Sequence, residues 1–495
     1  MPATIDAPIV PVLINGKWSS PTAEKFQPVH NPSAGEVIAR TPLLGADIVD
    51  QAVVAAKKAF ETWGKTPITK RATIMFKFRQ LLDEHFDELC KLITKENGKT
   101  IEESKGDMRR GIEVVEFACG VGHLVKGESV PQIADHLDGA TTREPLGVCA
   151  GITPFNFPAM VPMWMFPLAI ACGNCFILKP SEKVPLTANR LAELLTEAGC
   201  PAGVMQVVQG GREVVDAICT HPGISAVSFV GSSVVAKHVY SLSTSTGKRC
   251  QSAGAARNVL LVMPDADPDP TLRAIMGSAY GCAGQRCMAG SLLMGVGDVA
   301  DHLRDRVAGA IDALKVDDTT ANPKAEMGAV IDDISQKRVK GIIDKAANDK
   351  LSIVRDGRTS KHERGFFVGP TLIDNITPDM QIFKDEVFGP VLSMVRPKNL
   401  DEAIAMMNTI QYGNGASIFT TSGSSARTFA RDMQCGMIGV NVGVPAPMAL
   451  FAFSGWNQSF FGDLHVQGVE GVMFYTRQKC VLSRWDSNYQ RTQGW

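Results

Sequence analysis

Cys287 closes the run Gly284-Gln285-Arg286-Cys287, where a glycine-bearing turn leads into a thiol with a cation beside it. A neighbouring guanidinium favours thiolate over thiol, and a thiolate can attack a carbonyl carbon. The chain has 12 cysteines, and a cysteine taken alone is more often core than nucleophile. Two other groups could hold a ligand. Pro154-Phe155-Asn156-Phe157-Pro158 follows the apolar run 148–152, and Lys179-Pro180-Ser181-Glu182 follows the apolar run 175–178. Ligands of open parallel sheets sit at the carboxyl ends of strands. Lys179 and Glu182 there would hydrogen-bond ribose hydroxyls, and the carboxylate would repel a 2′-phosphate, favouring NAD over NADP. A lone K-x-x-E is equally a solvated loop with one ion pair. The stretch 228–233, ending Gly231-Ser232-Ser233, opens an amphipathic segment. Its amides could receive a pyrophosphate, or Ser232 could be a plain N-cap.

These groups need elements to position them. Apolar residues at helical spacing predict helices over 46–62 and 69–95. After Gly147 short apolar runs at 148–152, 175–178, 205–208 and 226–230 read as strands, with helices over 183–198 and 212–220 between them. Strand–helix–strand units at this spacing imply a parallel, helix-covered sheet. A second alternating set runs from about residue 259 to 455, and the polar segment 127–145 reads as a projecting strand pair.

Composition excludes several classes. Lys plus Arg is 50 against 51 Asp plus Glu, a net charge of −1, which gives no case for nucleic acid as a partner. The apolar stretch 159–178 is as long as a bilayer span, but Pro162, Pro167 and Gly173 punctuate it, so a buried helix and strand are expected rather than a membrane segment. Scattered cysteines and no visible leader make the cytoplasm the expected compartment. G-x-G-x-x-G after a strand, a P-loop and H-E-x-x-H are all absent, and the nine histidines do not gather with acids, so no metal is expected. Cys172-Gly-Asn-Cys175 reads as two buried thiols.

Taken together and in order, PFNFP, KPSE, 198–210, SFVGS, GQRC and Lys384-Asp385-Glu386-Val387-Phe388-Gly389-Pro390 resemble the aldehyde dehydrogenase superfamily over nearly the whole chain. The stretches 109–118, 160–174, 284–290 and 441–455 resemble its CoA-acylating, methylmalonate-semialdehyde dehydrogenase branch. The resemblance implies Cys287 as nucleophile and Asn156, with the Cys287 amide, as oxyanion donor. It implies Glu386 at a nicotinamide ribose and Phe388 near the ring. Phe155, Lys179, Glu182, Lys183, Ser232 and Gly254 would bind the rest of the NAD. Hydrolytic relatives carry a water-activating glutamate where this chain has Ala253. A methyl group cannot deprotonate water, so coenzyme A is the implied acyl acceptor and co-substrate. Ala255 and Arg257 stand where relatives usually have Gly and Lys, and Asn457 replaces another Lys.

Arg286, and Arg110 on a helix read as 104–118, would clamp the carboxylate of a small 3-oxo acid. The implied reaction converts malonate or methylmalonate semialdehyde, CoA and NAD into acetyl- or propionyl-CoA, NADH and carbon dioxide. A CoA-independent dehydrogenase releasing a free acid, or a non-catalytic relative, stays open. The fold implied is α/β, aldehyde dehydrogenase-like. It comprises a Rossmann-like NAD-binding lobe (1–126 and 146–256), an α/β catalytic lobe (257–471) and a β oligomerisation arm (127–145 and 472–495). The arm implies a homo-oligomer, commonly a dimer of dimers.

Overall fold

A computed structural model describes residues 7–359 and 361–485. Five parallel strands form the centre of an eight-stranded sheet, in the order Met205–Val207, Cys175–Lys179, Val148–Ile152, Ala226–Val230 and Arg249–Ala253. The first four are mostly apolar because both faces are covered by helices, whereas Arg249–Ala253 (RCQSA) buries polar side chains. The chain steps outward from Val148–Ile152 twice in one direction, then crosses back to Ala226–Val230. Between those two strands the order reverses, and there the strand ends leave a crevice. The first four were expected within one residue of their observed ends; Arg249–Ala253, which has no apolar run to mark it, was not expected as a strand.

The predicted helix over 69–95 is two helices, Ile68–Glu84 and Phe86–Asn97, broken at His85 (φ −101°, ψ 15°). Periodicity runs through the break because both pieces bury apolar faces. The next helix begins earlier than expected, at Ile101, and runs to Cys119. Its start is a capping box, with Thr100 accepting from the Glu103 amide and Glu103 accepting from the Thr100 amide.

The apolar stretch at 159–178 folds as the wholly buried helix Met160–Ala171 and the buried strand Cys175–Lys179. Among the described residues no helix is long and apolar enough to cross a membrane.

A second sheet of seven strands is parallel except at one edge. Gly290–Gly295 and Asn258–Val262 lie at its centre, and Val391–Val395 and Gly415–Phe419 flank them. Its core is separate from that of the first sheet. The segment expected to end this lobe at residue 471 does not stay in it: Phe460–Phe461 pairs antiparallel with Arg249–Ala253 in the first sheet. The projecting pair Ser129–Ala134 and Leu137–Pro145 forms a three-stranded sheet with Thr476–Arg484, joined over nine positions. Of the arm read as 472–495, residues 486–495 lie outside the described residues.

Candidate active site

A cavity of about 720 Å³ opens at the crevice where the strand order reverses. Phe155, Asn156, Lys179, Glu182, Lys183, Ser232, Gly254, Cys287, Glu386 and Phe388 all line it. Two sheets contribute: the first supplies the loops after its central strands, and the second supplies the cysteine loop and the 386–388 turn.

The cysteine loop is built on close backbone contact. After the helix Pro268–Tyr280 the chain turns tightly, with Cys282 and Ala283 both at φ +50°. Gly284 follows at φ +70°, and a Cβ there would lie 2.1 Å from the Gly389 carbonyl oxygen. Only glycine lets the cysteine loop rest on the 386–390 turn. The Cys287 carbonyl is gripped by two side-chain amides, Asn258 Nδ2 at 2.8 Å and Asn414 Nδ2 at 2.9 Å. Sequence reasoning missed both, since nothing local marks an asparagine that reaches across a sheet.

Burial pushes the Cys287 thiol up to about 12, and the Glu386 carboxylate adds to that; the amides of Cys287 and Met288 oppose it, and Arg286 contributes least. Arg286 therefore favours the thiolate as expected, but only weakly. Its guanidinium points elsewhere, with Nε on Cys282 Sγ (3.2 Å), Nη1 on the Gly277 carbonyl (3.0 Å) and Nη2 on Glu103 Oε1 (3.3 Å). Because the pKa is raised, the ligand-free protein carries the thiol at neutral pH. Iodoacetamide labelling of Cys287 in a Cys480→Ser background should rise about tenfold per pH unit between 7 and 10. A plateau below pH 8 would contradict it.

At the far end of the cavity Lys179 Nζ meets Glu182 Oε2 at 2.9 Å. Burial by itself would raise the Glu182 carboxyl, but Lys179, with Lys183 behind it, holds it below the usual range. Lys183 is tied to Asp332 (2.6 Å) and lies over the Phe155 ring. Ser232 occupies the N-cap of the helix Ser233–Ser245, yet its side chain makes no cap bond, so the plain capping reading does not hold. The Gly254 amide donates to the Ser459 carbonyl (2.8 Å). His238 and Asp216, paired at 2.6 Å, also line this end and were not foreseen.

Glu386 lies nearer the thiol. Its Oε1 accepts from the Ala256 amide at 2.9 Å, and burial pushes its carboxyl up to about 7 against the pull of Arg338 and Arg257. Phe388 sits at φ +48°, a strained position for a bulky residue, edge-on to Phe155 at 5.8 Å. Arg338 holds that turn by donating to the carbonyls of Val387 (2.6 Å) and Phe388 (3.1 Å). Arg257 reaches the carbonyls of Ile382 and Phe383 and the Ser393 hydroxyl, anchoring the segment before Glu386. Neither arginine stands in a pattern that would have revealed this.

The two arginines expected to clamp substrate each pair with a carboxylate of the helix Ile101–Cys119. Neither lines the cavity. Arg110 pairs with Glu113 on its own helix at 3.0 Å, both partly exposed, and Arg286 pairs with Glu103. Glu103 and Arg110 are seven residues apart on one helix and so share a face. Ala253 ends its strand, buried, its carbonyl accepting from the Gly231 amide.

The cleft fits a dinucleotide: it joins a switch-point crevice, a helix N-terminus without a side-chain cap and a Lys–Glu pair to a half-buried cysteine. The profile of the aldehyde dehydrogenase family matches residues 18–481. The chain belongs to the aldehyde dehydrogenase family. It is 48% identical to a malonate-semialdehyde dehydrogenase of Halalkalibacterium halodurans over 473 residues, 95% of this chain and 97% of that protein. Its fold matches methylmalonate-semialdehyde dehydrogenase of Oceanimonas doudoroffii with TM-score 0.95 at 45% identity, covering 97% of this chain and 99% of the other. It equally matches a putative methylmalonate-semialdehyde dehydrogenase of Sinorhizobium meliloti, solved complexed with NAD, with TM-score 0.95 at 44% identity over 97% and 99% of the chains. Within this aldehyde dehydrogenase framework two departures now have a physical account. Arg257 uses its longer fork to bind two carbonyls and a hydroxyl at once. Asn457 sits at φ +53°, which asparagine tolerates better than lysine.

Proposed function

We propose that the chain is an NAD-dependent, CoA-acylating dehydrogenase of malonate or methylmalonate semialdehyde, forming acetyl- or propionyl-CoA with loss of carbon dioxide. The observation that carries the reading is a cavity holding Cys287, Asn156 and Glu386 beside a strand that ends in Ala253 where hydrolytic relatives place a base. The names of the relatives support the substrate class.

Cys287 Sγ attacks the aldehyde carbon to form a thiohemiacetal. The Asn156 side chain, which makes no hydrogen bond of its own among the described residues, and the Cys287 amide receive the oxyanion. NAD held in this cleft supplies the hydride acceptor. Lys179, Glu182, Lys183, Ser232, Gly254 and Phe155 hold the adenosine and phosphates, while Glu386 and Phe388 orient the nicotinamide riboside. The thioester left on Cys287 is then attacked by the thiolate of CoA, which re-forms the Cys287 thiolate. Arg110 and Arg286 recognise the carboxylate, which leaves the acyl thioester as carbon dioxide; the electron pair of the broken C–C bond passes into the thioester enolate, whose carbon takes up a proton equivalent to the one the CoA thiol gives up. Measuring NADH formation with and without CoA tests the reading.

The NAD-binding lobe is 1–126 and 146–256, the catalytic lobe 257–471, with its 460–461 strand shared with the first sheet, and the arm 127–145 and 472–495. The arm displays exposed Val130, Ile133, Val481 and Leu482, which supports a homo-oligomer, a dimer of dimers. A light-scattering mass of one 53.2 kDa chain would sink that assignment. Ten buried free thiols support a reducing compartment such as the cytoplasm.

A further inference from the structure

We propose that Lys99 and Asp107 are positioning residues that fix the oxyanion-binding amide of Asn156; this inference rests on the oxyanion role given to Asn156 above. Both side chains are wholly buried, 0% exposed. Lys99 Nζ donates to the Asn156 backbone carbonyl at 2.6 Å and to Asp107 Oδ2 at 3.0 Å, and it lies 4.2 Å from the centre of the Phe157 ring. The other oxygen of Asp107 accepts from the Met160 amide at 2.7 Å. Two residues before Lys99, Asn97 Nδ2 donates to the Phe155 carbonyl at 2.8 Å. Residues 155, 156, 157 and 160 are thus each held by a side chain from the segment 97–107.

A core that needed only cohesion would not keep this pair. Burying two charges is expensive, and replacing a buried ion pair by well-packed apolar groups is often neutral or stabilising. What an apolar pair cannot do is grip a carbonyl in a set direction. The carbonyl gripped is that of Asn156, whose side-chain amide has no partner among the described residues to orient it. The direction of that amide therefore comes from its own backbone, and the backbone is aimed by the ammonium. Catalytic donors need placement within about 0.5 Å, and an error of ~1 Å costs about a hundredfold.

The test is a double-mutant cycle. Lys99→Met alone leaves Asp107 buried and unpaired, so it is paired with Lys99→Met/Asp107→Asn, which removes both charges and keeps an acceptor for the Met160 amide. The wild type, each variant, Asn156→Ala and the combinations are compared in kcat/KM for semialdehyde and in KM for NAD. The pair substitution should lower kcat/KM by about 10- to 100-fold, leave KM for NAD within about twofold, and cause no further loss in the Asn156→Ala background. Losses that multiply in that background, or a KM for NAD that rises in step, would overturn the positioning role. An unchanged kcat/KM in Asn156→Ala alone would overturn the oxyanion reading itself, and this inference with it.

Discussion

Protein mixed with NAD and semialdehyde, without CoA, should release a burst of about one NADH per Cys287 and then turn over slowly. The thioester forms because the nucleophile and oxyanion groups line one cavity. It persists because the strand Arg249–Ala253 ends in a methyl group, which cannot activate water. CoA should restore fast turnover, since its thiol reaches the thiolate form with less help than water needs, and the product should be an acyl-CoA. Cys287→Ala should abolish burst and turnover together, as no other group of the proposed site forms the thiohemiacetal. Ala253→Glu tests the same point in reverse. It should raise the CoA-independent rate while slowing acylation, because a second carboxylate joins Glu386 in pushing the Cys287 thiol up. Full-speed turnover without CoA, with release of a free acid, is the outcome that defeats this account.

Replacing Arg110 or Arg286 by Leu should cost semialdehydes about 10- to 100-fold in kcat/KM, with little loss on propanal, which has no carboxylate. Removing one partner of a charge-assisted pair is worth about 1.5–3 kcal/mol. The structure distinguishes the two positions. Among the described residues Arg110 is bound only to Glu113 across a partly exposed i,i+3 pair, an interaction of little strength that a substrate carboxylate can displace. Arg286 is enclosed, its fork spread over Cys282, Gly277 and Glu103, so substrate must compete with Glu103 for it. Arg110→Leu should be the cleaner selective loss. An equal loss on semialdehyde and propanal at Arg286, with Arg110→Leu still selective, would assign Arg286 to holding the cysteine loop. Equal losses at both would remove the carboxylate clamp.

The strands and the contents of the cleft were legible in the chain itself because their signals are local. Four apolar runs bounded by Gly or Pro mark the strands at 148–152, 175–179, 205–207 and 226–230, and strand ends are where an open parallel sheet binds ligands. Once those ends are known, 154–158 and 179–183 must face one crevice, and the rest of the ten cleft residues are those that the resemblance to aldehyde dehydrogenases implies. The break at His85 was hidden because two consecutive helices burying the same side keep one periodicity. The direction of a long side chain was hidden for a different reason. An arginine has five donors on a flexible stem, so its role depends on which acceptors the fold delivers. Arg286 was taken by Glu103 from 183 residues away, Arg338 by the carbonyls of 387 and 388, and Arg257 by those of 382 and 383. The Cys287 thiol is decided in the same way. The adjacent cation is a sequence neighbour, but the dielectric around the sulfur is set by everything packed against it, and desolvation outweighs a guanidinium that faces elsewhere.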